Sequence, residues 1–131
     1  MATAPAFAAT PVVAGIATGT TASTTPFGTP SAPVTVYTAP ASGARIDEID
    51  IVGLGTTSGN LIILYVYNGT TYWPIKTIQT TATTASATVP AFSATVTFQN
   101  LMLTNASYSI RAAIFGADTS GYMITAFGGS F

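Results

Sequence analysis

Residues 61–79 read LIILYVYNGTTYWPIKTIQ, and this stretch decides the fold. Leu61–Tyr67 is an unbroken apolar run rich in β-branched and aromatic residues, which predicts a central strand covered on both faces. Asn68-Gly69 follows, the pair best suited to a two-residue type I′ turn. Thr70–Gln79 predicts the partner strand, and Pro74 within it indicates an edge strand or a bulge. The stretch therefore predicts an antiparallel hairpin.

Strand-like segments separated by turn residues continue on both sides of this hairpin. Val34–Tyr37 and Arg45–Leu54 precede it, and the second needs a bulge near Asp47-Glu48 to keep its isoleucines on one face. After a loop over most of Thr80–Pro90, apolar and polar residues alternate towards the C-terminus, and no segment shows a sustained helical period with caps. The pattern predicts an all-β fold, an antiparallel β-sandwich of jelly-roll-like type with about seven or eight strands.

Residues 1–33 differ in composition from the rest of the chain. They are mostly Ala, Thr, Pro, Gly and Ser, and the first side chain that is charged at neutral pH is Arg45. Such a segment cannot bury enough surface to fold alone, and its prolines favour extended backbone. We expect an extended N-terminal arm over residues 1–33 and a sandwich domain over residues 34–131, with a short arm strand at Pro11–Ile16 pairing with a neighbouring subunit. The apolar side chains expected to contact neighbours are Phe7, Val12, Val13, Ile16 and Phe27.

The chain is poor in charge. Charged residues make up 5% of its 131 residues and the net charge is -1, whereas about 25% is typical of soluble domains. No basic surface is therefore expected, and we expect no nucleic-acid partner. The longest apolar run, Leu61–Tyr67, is much shorter than the about 20 residues of a membrane-spanning helix, so we expect no membrane partner. A surface with so little charge is typical of a protein that is largely covered by partners.

The side chains that usually carry catalysis are missing. The sequence has no His and no Cys, which removes the usual general base, the Ser–His–Asp triad and thiolate metal sites. Asp47, Glu48 and Asp50 form one acidic cluster, but their spacing matches no calcium loop. We interpret the cluster as a solvated strand face with weak ion pairs, and Asp118 as a residue of an exposed turn. We expect no catalytic residue, no cofactor and no metal site, and therefore no enzyme.

The sequence leaves two possible roles open for the isolated cations and two for the aromatic residues near the hairpin. Lys76 and Arg111 are isolated cations on apolar strands, and they either extend to solvent or pair with the acidic cluster across a subunit interface. The aromatic residues near the hairpin form either a platform for stacking sugars or ordinary core and cross-strand pairs. These residues are Tyr65, Tyr67, Tyr72 and Trp73.

Several stretches are similar to one family of proteins. They are Tyr37–Ile49, which contains Tyr-Thr-Ala, a Gly-containing turn and Arg-Ile-Asp, then Leu61–Trp73, Thr88–Phe92 and Tyr108–Ala112. Residues 34–131 thereby resemble small virion-associated proteins of tailed bacteriophages. The resemblance implies a β-sandwich that is built into a phage particle or decorates it. The N-terminal arm is not part of the resemblance.

The arm and the resemblance together predict a structural virion protein. We expect a capsid decoration, or cement, protein on the capsid surface of the virion, which binds and stabilises the phage head shell. Its expected partners are the major capsid protein and copies of itself in a homotrimer. Two alternatives stay open, a tail or fibre component of the virion and a carbohydrate-binding β-sandwich module.

Overall fold

The computed structural model of the protein describes residues 10–131, and within this range it contains eight strands and no helix. Strands form where β-branched and aromatic residues alternate with Thr and Ser, and turns form at the Gly, Pro and Asn clusters between them. The strands are β1 (Thr10–Thr18), β2 (Val34–Thr38), β3 (Ala44–Gly53), β4 (Leu61–Tyr67), β5 (Tyr72–Gln79), β6 (Ser93–Leu103), β7 (Ser109–Ile114) and β8 (Tyr122–Ser130).

The strands form two four-stranded sheets. Sheet I has the order β1-β8-β3-β6 and sheet II the order β2-β7-β4-β5, and all neighbours are antiparallel. The pairs β1–β8, β2–β7, β3–β6 and β4–β5 nest inside one another along the chain. This is the connectivity of a long hairpin folded over into two sheets, the eight-stranded jelly roll. The predicted fold class, an antiparallel jelly-roll-like sandwich, is confirmed.

The core lies between the two sheets. Sheet I contributes alternate side chains such as Ile49, Ile51 and Ile124, and sheet II contributes Ile62 and Leu64, all without exposed surface. The alternation towards the C-terminus also places one side of each of the last two strands in this core. Their buried members are Ile110, Ala112 and Ile114 of β7 and Tyr122, Ile124 and Ala126 of β8.

Strand β4 is buried on its outer side as well. Ile63 and Tyr65 point away from the main core and have no exposed surface. The Tyr65 hydroxyl donates a hydrogen bond of 2.7 Å to the carbonyl of Pro26, so the segment between β1 and β2 covers part of sheet II. The prediction of a central strand covered on both faces is confirmed.

The predicted hairpin is present, but its turn is wider than expected. Tyr67 pairs with Tyr72, and Asn68 is not among the residues with positive φ, although Gly69 is, at 97°. A type I′ turn needs positive φ at both central residues. Instead, the Asn68 side chain accepts hydrogen bonds from the amides of Thr70 and Thr71, at 3.0 and 2.7 Å, and this holds the wider turn.

Two predicted irregularities are confirmed. The register of β3 shifts between Ile46 and Glu48 against both neighbours, so Asp47 is the extra residue of a bulge. The shift lets Ile46 and Ile49 both point into the core. Pro74 lies in β5, an edge strand of sheet II, next to a register shift of the β4–β5 pair.

The strand expected at Pro11–Ile16 is present as β1, but its partner differs from the expected one. It pairs along its whole length with β8 of the same chain, from Thr10 opposite Ser130 to Thr18 opposite Tyr122. Its inward side chain Ile16 packs against the main core. The boundary expected at residue 33 therefore does not coincide with an edge of the sandwich, because β1 is one of its eight strands.

Candidate functional site

The outer face of sheet I carries exposed side chains on all four of its strands. Its side chains follow from the register, because the row Ile16, Ile124, Ile51 and Ala94 points inward and the neighbouring rows must point outward. We define the outer face of sheet I by four such rows. They are Pro11-Gly129-Arg45-Met102, Val13-Phe127-Glu48-Thr97, Gly15-Thr125-Asp50-Thr95 and Ala17-Met123-Val52-Ser93.

Exposed apolar side chains are concentrated on this face. Of the eight large apolar side chains that are exposed within residues 10–131, four belong to it. Val13 exposes 72% of its surface, and Met102, Val52 and Met123 are also exposed. Exposed apolar side chains that share one face with polar residues are typical of a protein interaction site. The sequence could have indicated this face, because Met123 and Phe127 are apolar although alternation places them on the side of β8 that faces away from the core.

The bulge in β3 places the acidic cluster on the same face. Arg45 and Asp47 form an exposed ion pair of 2.9 Å, while Glu48 and Asp50 occupy the two central rows. One oxygen of Asp50, Oδ1, is buried and has no hydrogen-bond partner among the described residues. Within residues 10–131, no three carboxylates converge to form a group that could hold a metal ion.

The two remaining cations have different environments. The guanidinium of Arg111 lies 4.5 Å from the centre of the Tyr67 ring, and its Nε donates to the hydroxyl of Ser109 at 3.1 Å. Lys76 is exposed on the edge strand β5 and has no ion pair within residues 10–131. Arg111 was expected either to extend to solvent or to pair with the acidic cluster. In the structure it instead makes a cation–π contact within its own sheet.

Asp118 is buried, so the expectation of an exposed turn residue is wrong. Its carboxylate accepts hydrogen bonds from the amide and hydroxyl of Ser58, at 2.9 and 2.6 Å, from the Asn60 amide group at 2.8 Å and from the Tyr122 hydroxyl at 2.5 Å. The hydroxyl of Tyr122 also lies within hydrogen-bond distance of the hydroxyl of Thr80, at 3.1 Å. The contacts join the loops after β3 and β7 to the end of β5. Sequence reasoning missed this network because its members lie far apart along the chain.

The electrostatics of Asp118 follow from these contacts. Burial acts to raise the pKa of its carboxyl, but the hydrogen bonds from Ser58, Tyr122 and Asn60 outweigh burial and hold the pKa below its ordinary value. Burial, together with the bond to Asp118, raises the pKa of Tyr122. The carboxylate is therefore ionised at neutral pH, and both of its oxygens accept hydrogen bonds from its own chain. Its role is to hold the loops after β3 and β7 together.

The predicted arm residues are distributed over different environments. Phe7 lies outside the described residues. Val12 and Ile16 point towards the interior of the sandwich and are half-buried. Val13 points outward on sheet I, and Phe27, in the segment between β1 and β2, exposes 72% of its surface. Val13 and Phe27 are therefore the members of this set that are available to a neighbour.

The aromatic residues near the hairpin do not form one platform. Tyr65 is buried, and Tyr72 contacts both Tyr65, at 5.6 Å between ring centres, and Tyr67, at 4.3 Å. Trp73 instead stacks on Tyr108 at 6.5 Å and remains 44% exposed. Cross-strand pairing thus accounts for the tyrosines of β4 and β5.

A cleft of about 280 Å³ lies between the end of β1 and the start of β2. It is lined by residues 17–18, 20–21 and 32–34, which are Ala, Thr, Pro and Val without any ionisable group. The cleft therefore offers shape and apolar contact but no acid–base chemistry.

No protein-family model matches the chain, and no curated protein matches it. Within residues 10–131 there is no helix long and apolar enough to cross a membrane. The features that bear on function are therefore the jelly-roll fold and its exposed surfaces.

Proposed function

We propose that this chain is a structural virion protein, a capsid decoration protein that binds and stabilises the head shell of a tailed bacteriophage. The observation that carries the proposal is the outer face of sheet I, which bears four exposed large apolar side chains beside the charged residues of β3. In a chain with 5% charged residues, such a face favours packing against other proteins over acting on a substrate. Jelly rolls recur in viral capsid domains, which supports the proposal by analogy only.

The proposed partners are the major capsid protein and copies of this chain in a homotrimer, on the capsid surface of the virion. Contact with the shell is assigned to the exposed side chain of Phe27 and to the segment that precedes β1, which carries Phe7. Apolar side chains of this kind fill shallow apolar pockets of a partner. The proposal includes no enzymatic activity, cofactor, metal, nucleic acid or membrane.

Cosedimentation with purified head shells that lack this protein tests the proposal. The wild-type chain is expected to sediment with the shells in saturable amounts. Phe27→Ser is expected to weaken binding about tenfold, because truncating a buried aromatic anchor typically costs more than 1 kcal/mol. Phe27→Leu, the matched control, keeps an apolar side chain and should bind nearly as the wild type does. Absence of saturable binding by the wild type would contradict the proposal.

One observation favours a second candidate, a carbohydrate-binding module. Trp73 is half-exposed and its ring is held by stacking on Tyr108, and a fixed exposed indole is a surface on which a sugar ring packs. A glycan array distinguishes the candidates. The decoration protein is expected to give no signal that Trp73→Ala removes, whereas a Trp73-dependent signal would favour the module.

A further inference from the structure

The ionisable side chains of this protein all lie within the described residues, and most have partners inside the chain. Arg45 pairs with Asp47, Arg111 lies over Tyr67, and Asp118 is held by its network. Glu48, Asp50 and Lys76 have no ion pair within residues 10–131. The unpaired charges of one copy are thus two carboxylates and one ammonium group, which are complementary to each other.

These complementary charges lie on different surfaces of the molecule. Glu48 and Asp50 are in the central rows of the outer face of sheet I. Lys76 is on β5, at the edge of sheet II, which is the other layer of the sandwich. They form no ion pair in one chain, but they can meet between two copies. A contact between two different surfaces repeats head to tail, and it gives a ring where the rotation closes.

Each of the two surfaces also carries apolar side chains beside its charge. Met123 and Val52 form the row next to Asp50, and both are exposed. Trp73 is exposed on β5, three residues before Lys76. Contact between the surfaces would remove these apolar side chains from water.

We propose that the outer face of sheet I binds the β5 edge of a second copy of this chain, with Lys76 of one copy paired to Glu48 and Asp50 of the next. The inference rests on the proposed function, of which the homotrimer is a part, and it assigns the surfaces that form that trimer. With strands about 4.8 Å apart and rows about 6.7 Å apart, the face measures about 20 Å by 20 Å. This area, about 400 Å² on each copy, is smaller than the about 800 Å² per partner of a standard specific interface, so the copies associate only at high protein concentration.

Sedimentation velocity over a wide concentration range tests the inference. The wild type is expected to pass from monomer to a closed oligomer as concentration rises. Lys76→Glu and Asp50→Lys are each expected to weaken association about tenfold or more, because each places like charges opposite one another. The double variant, with both charges reversed, is expected to recover most of the association. Thr38→Glu, at the opposite edge of sheet II, is the control and should associate as the wild type does.

The sedimentation-velocity results test self-association alone and do not depend on whether the protein binds head shells. A wild type that stays monomeric at all concentrations overturns the inference, as does association that Lys76→Glu leaves unchanged or that the double reversal fails to recover. Thermal unfolding of each variant shows that it is folded, and Lys76→Gln provides a milder change where a reversal unfolds the chain. The proposed function is decided by cosedimentation with shells, so a monomer that still binds shells overturns this inference alone.

Discussion

The side chain of Asp118 joins its own loop, after β7, to the loop after β3 and to the start of β8. Its carboxylate accepts four hydrogen bonds from Ser58, Asn60 and Tyr122, and it has 6% of its surface exposed. Hydrogen bonds to a buried charged group are stronger than neutral ones, and a donor left without an acceptor in the interior is costly. The loops at this end of the sandwich therefore depend on one negative charge.

Asp118→Asn is expected to lower the free energy of unfolding by about 2–3 kcal/mol. The new amide has one acceptor oxygen where the carboxylate had two, and its NH₂ group faces the donors of Asn60 and Tyr122. Urea titration followed by intrinsic fluorescence measures the change. Asp47→Asn removes only an exposed ion pair, so it serves as the control and should change stability by less than about 0.5 kcal/mol.

The pH dependence of stability follows from the lowered pKa of Asp118. A carboxyl whose pKa is lower in the folded than in the unfolded chain stabilises the fold at pH values above the unfolded pKa, and this contribution is lost as pH falls through the folded pKa. The wild type should thus lose stability on acidification below about pH 4. Asp118→Asn should show a flatter profile in this range, measured by thermal unfolding. Parallel profiles for the two proteins would contradict the role given to Asp118.

For single residues, the sequence predicts where a residue lies in a strand or turn better than it predicts which other side chains surround it. The outward position of Val13 and the bulge at Asp47 follow from alternation and its interruption. The burial of Asp118 does not, because it depends on Ser58, Thr80 and Tyr122, which only the folded chain brings together. Composition of a turn indicates that the chain bends there, but not whether another loop covers it.

Strand β1 is the element whose assignment changes most between sequence and structure. The composition of residues 1–33, mostly Ala, Thr, Pro, Gly and Ser, indicates a segment that cannot fold alone. In the folded chain this segment does not fold alone, because nine of its residues pair with β8. Its Ile16 side chain also packs against the core. Long-range pairing of the two ends of a chain leaves no local signal in either segment.

The position of β1 predicts different effects for two N-terminal deletions. Removing residues 1–9 is expected to leave thermal stability nearly unchanged, since all eight strands remain. Removing residues 1–18 also removes β1, frees the edge of β8 and uncovers core that Ile16 contacts, which should cost at least about 2 kcal/mol. Differential scanning calorimetry compares the two. Equal stability of both truncated chains would show that β1 contributes little to the sandwich.

The β4–β5 hairpin shows the opposite case, an element that local sequence predicts well. Seven consecutive apolar residues, an Asn-Gly pair and Pro74 identify the central strand, the turn and the edge strand. What the sequence does not predict is the turn type, because the Asn68 side chain competes with the backbone for the amides of Thr70 and Thr71.

At the scale of the whole molecule, the surface is dominated by Thr, Ser and apolar groups. Contacts made by such a surface depend on packing and neutral hydrogen bonds, which salt screens far less than ion pairs. The protein is therefore expected to remain on head shells as salt is raised to about 1 M, where the Debye length is about 3 Å. Urea should release it more readily, since urea solvates apolar and peptide groups. Release by moderate salt alone, seen by cosedimentation, would mean that the few charges dominate the contact.

The jelly-roll architecture could be predicted as a class but not as a connectivity. Turn spacing and alternation indicate an all-β sandwich. The nested pairing of β1 with β8 and β2 with β7 depends on contacts between segments about as far apart as the chain allows. The outer face of sheet I, on which the proposed function rests, is a product of that pairing, so the sequence alone shows its residues without showing that they form one surface.

The central claim is that this chain is a structural part of the outer surface of a phage head, and quantitative mass spectrometry of purified particles tests it most directly. The chain is expected in a copy number comparable with that of the major capsid protein, and antibody labelling in electron micrographs should decorate heads. Absence of the chain from purified particles would contradict the claim. A copy number far below that of the shell protein, with label confined to tails, would contradict the decoration role and favour a tail or fibre component.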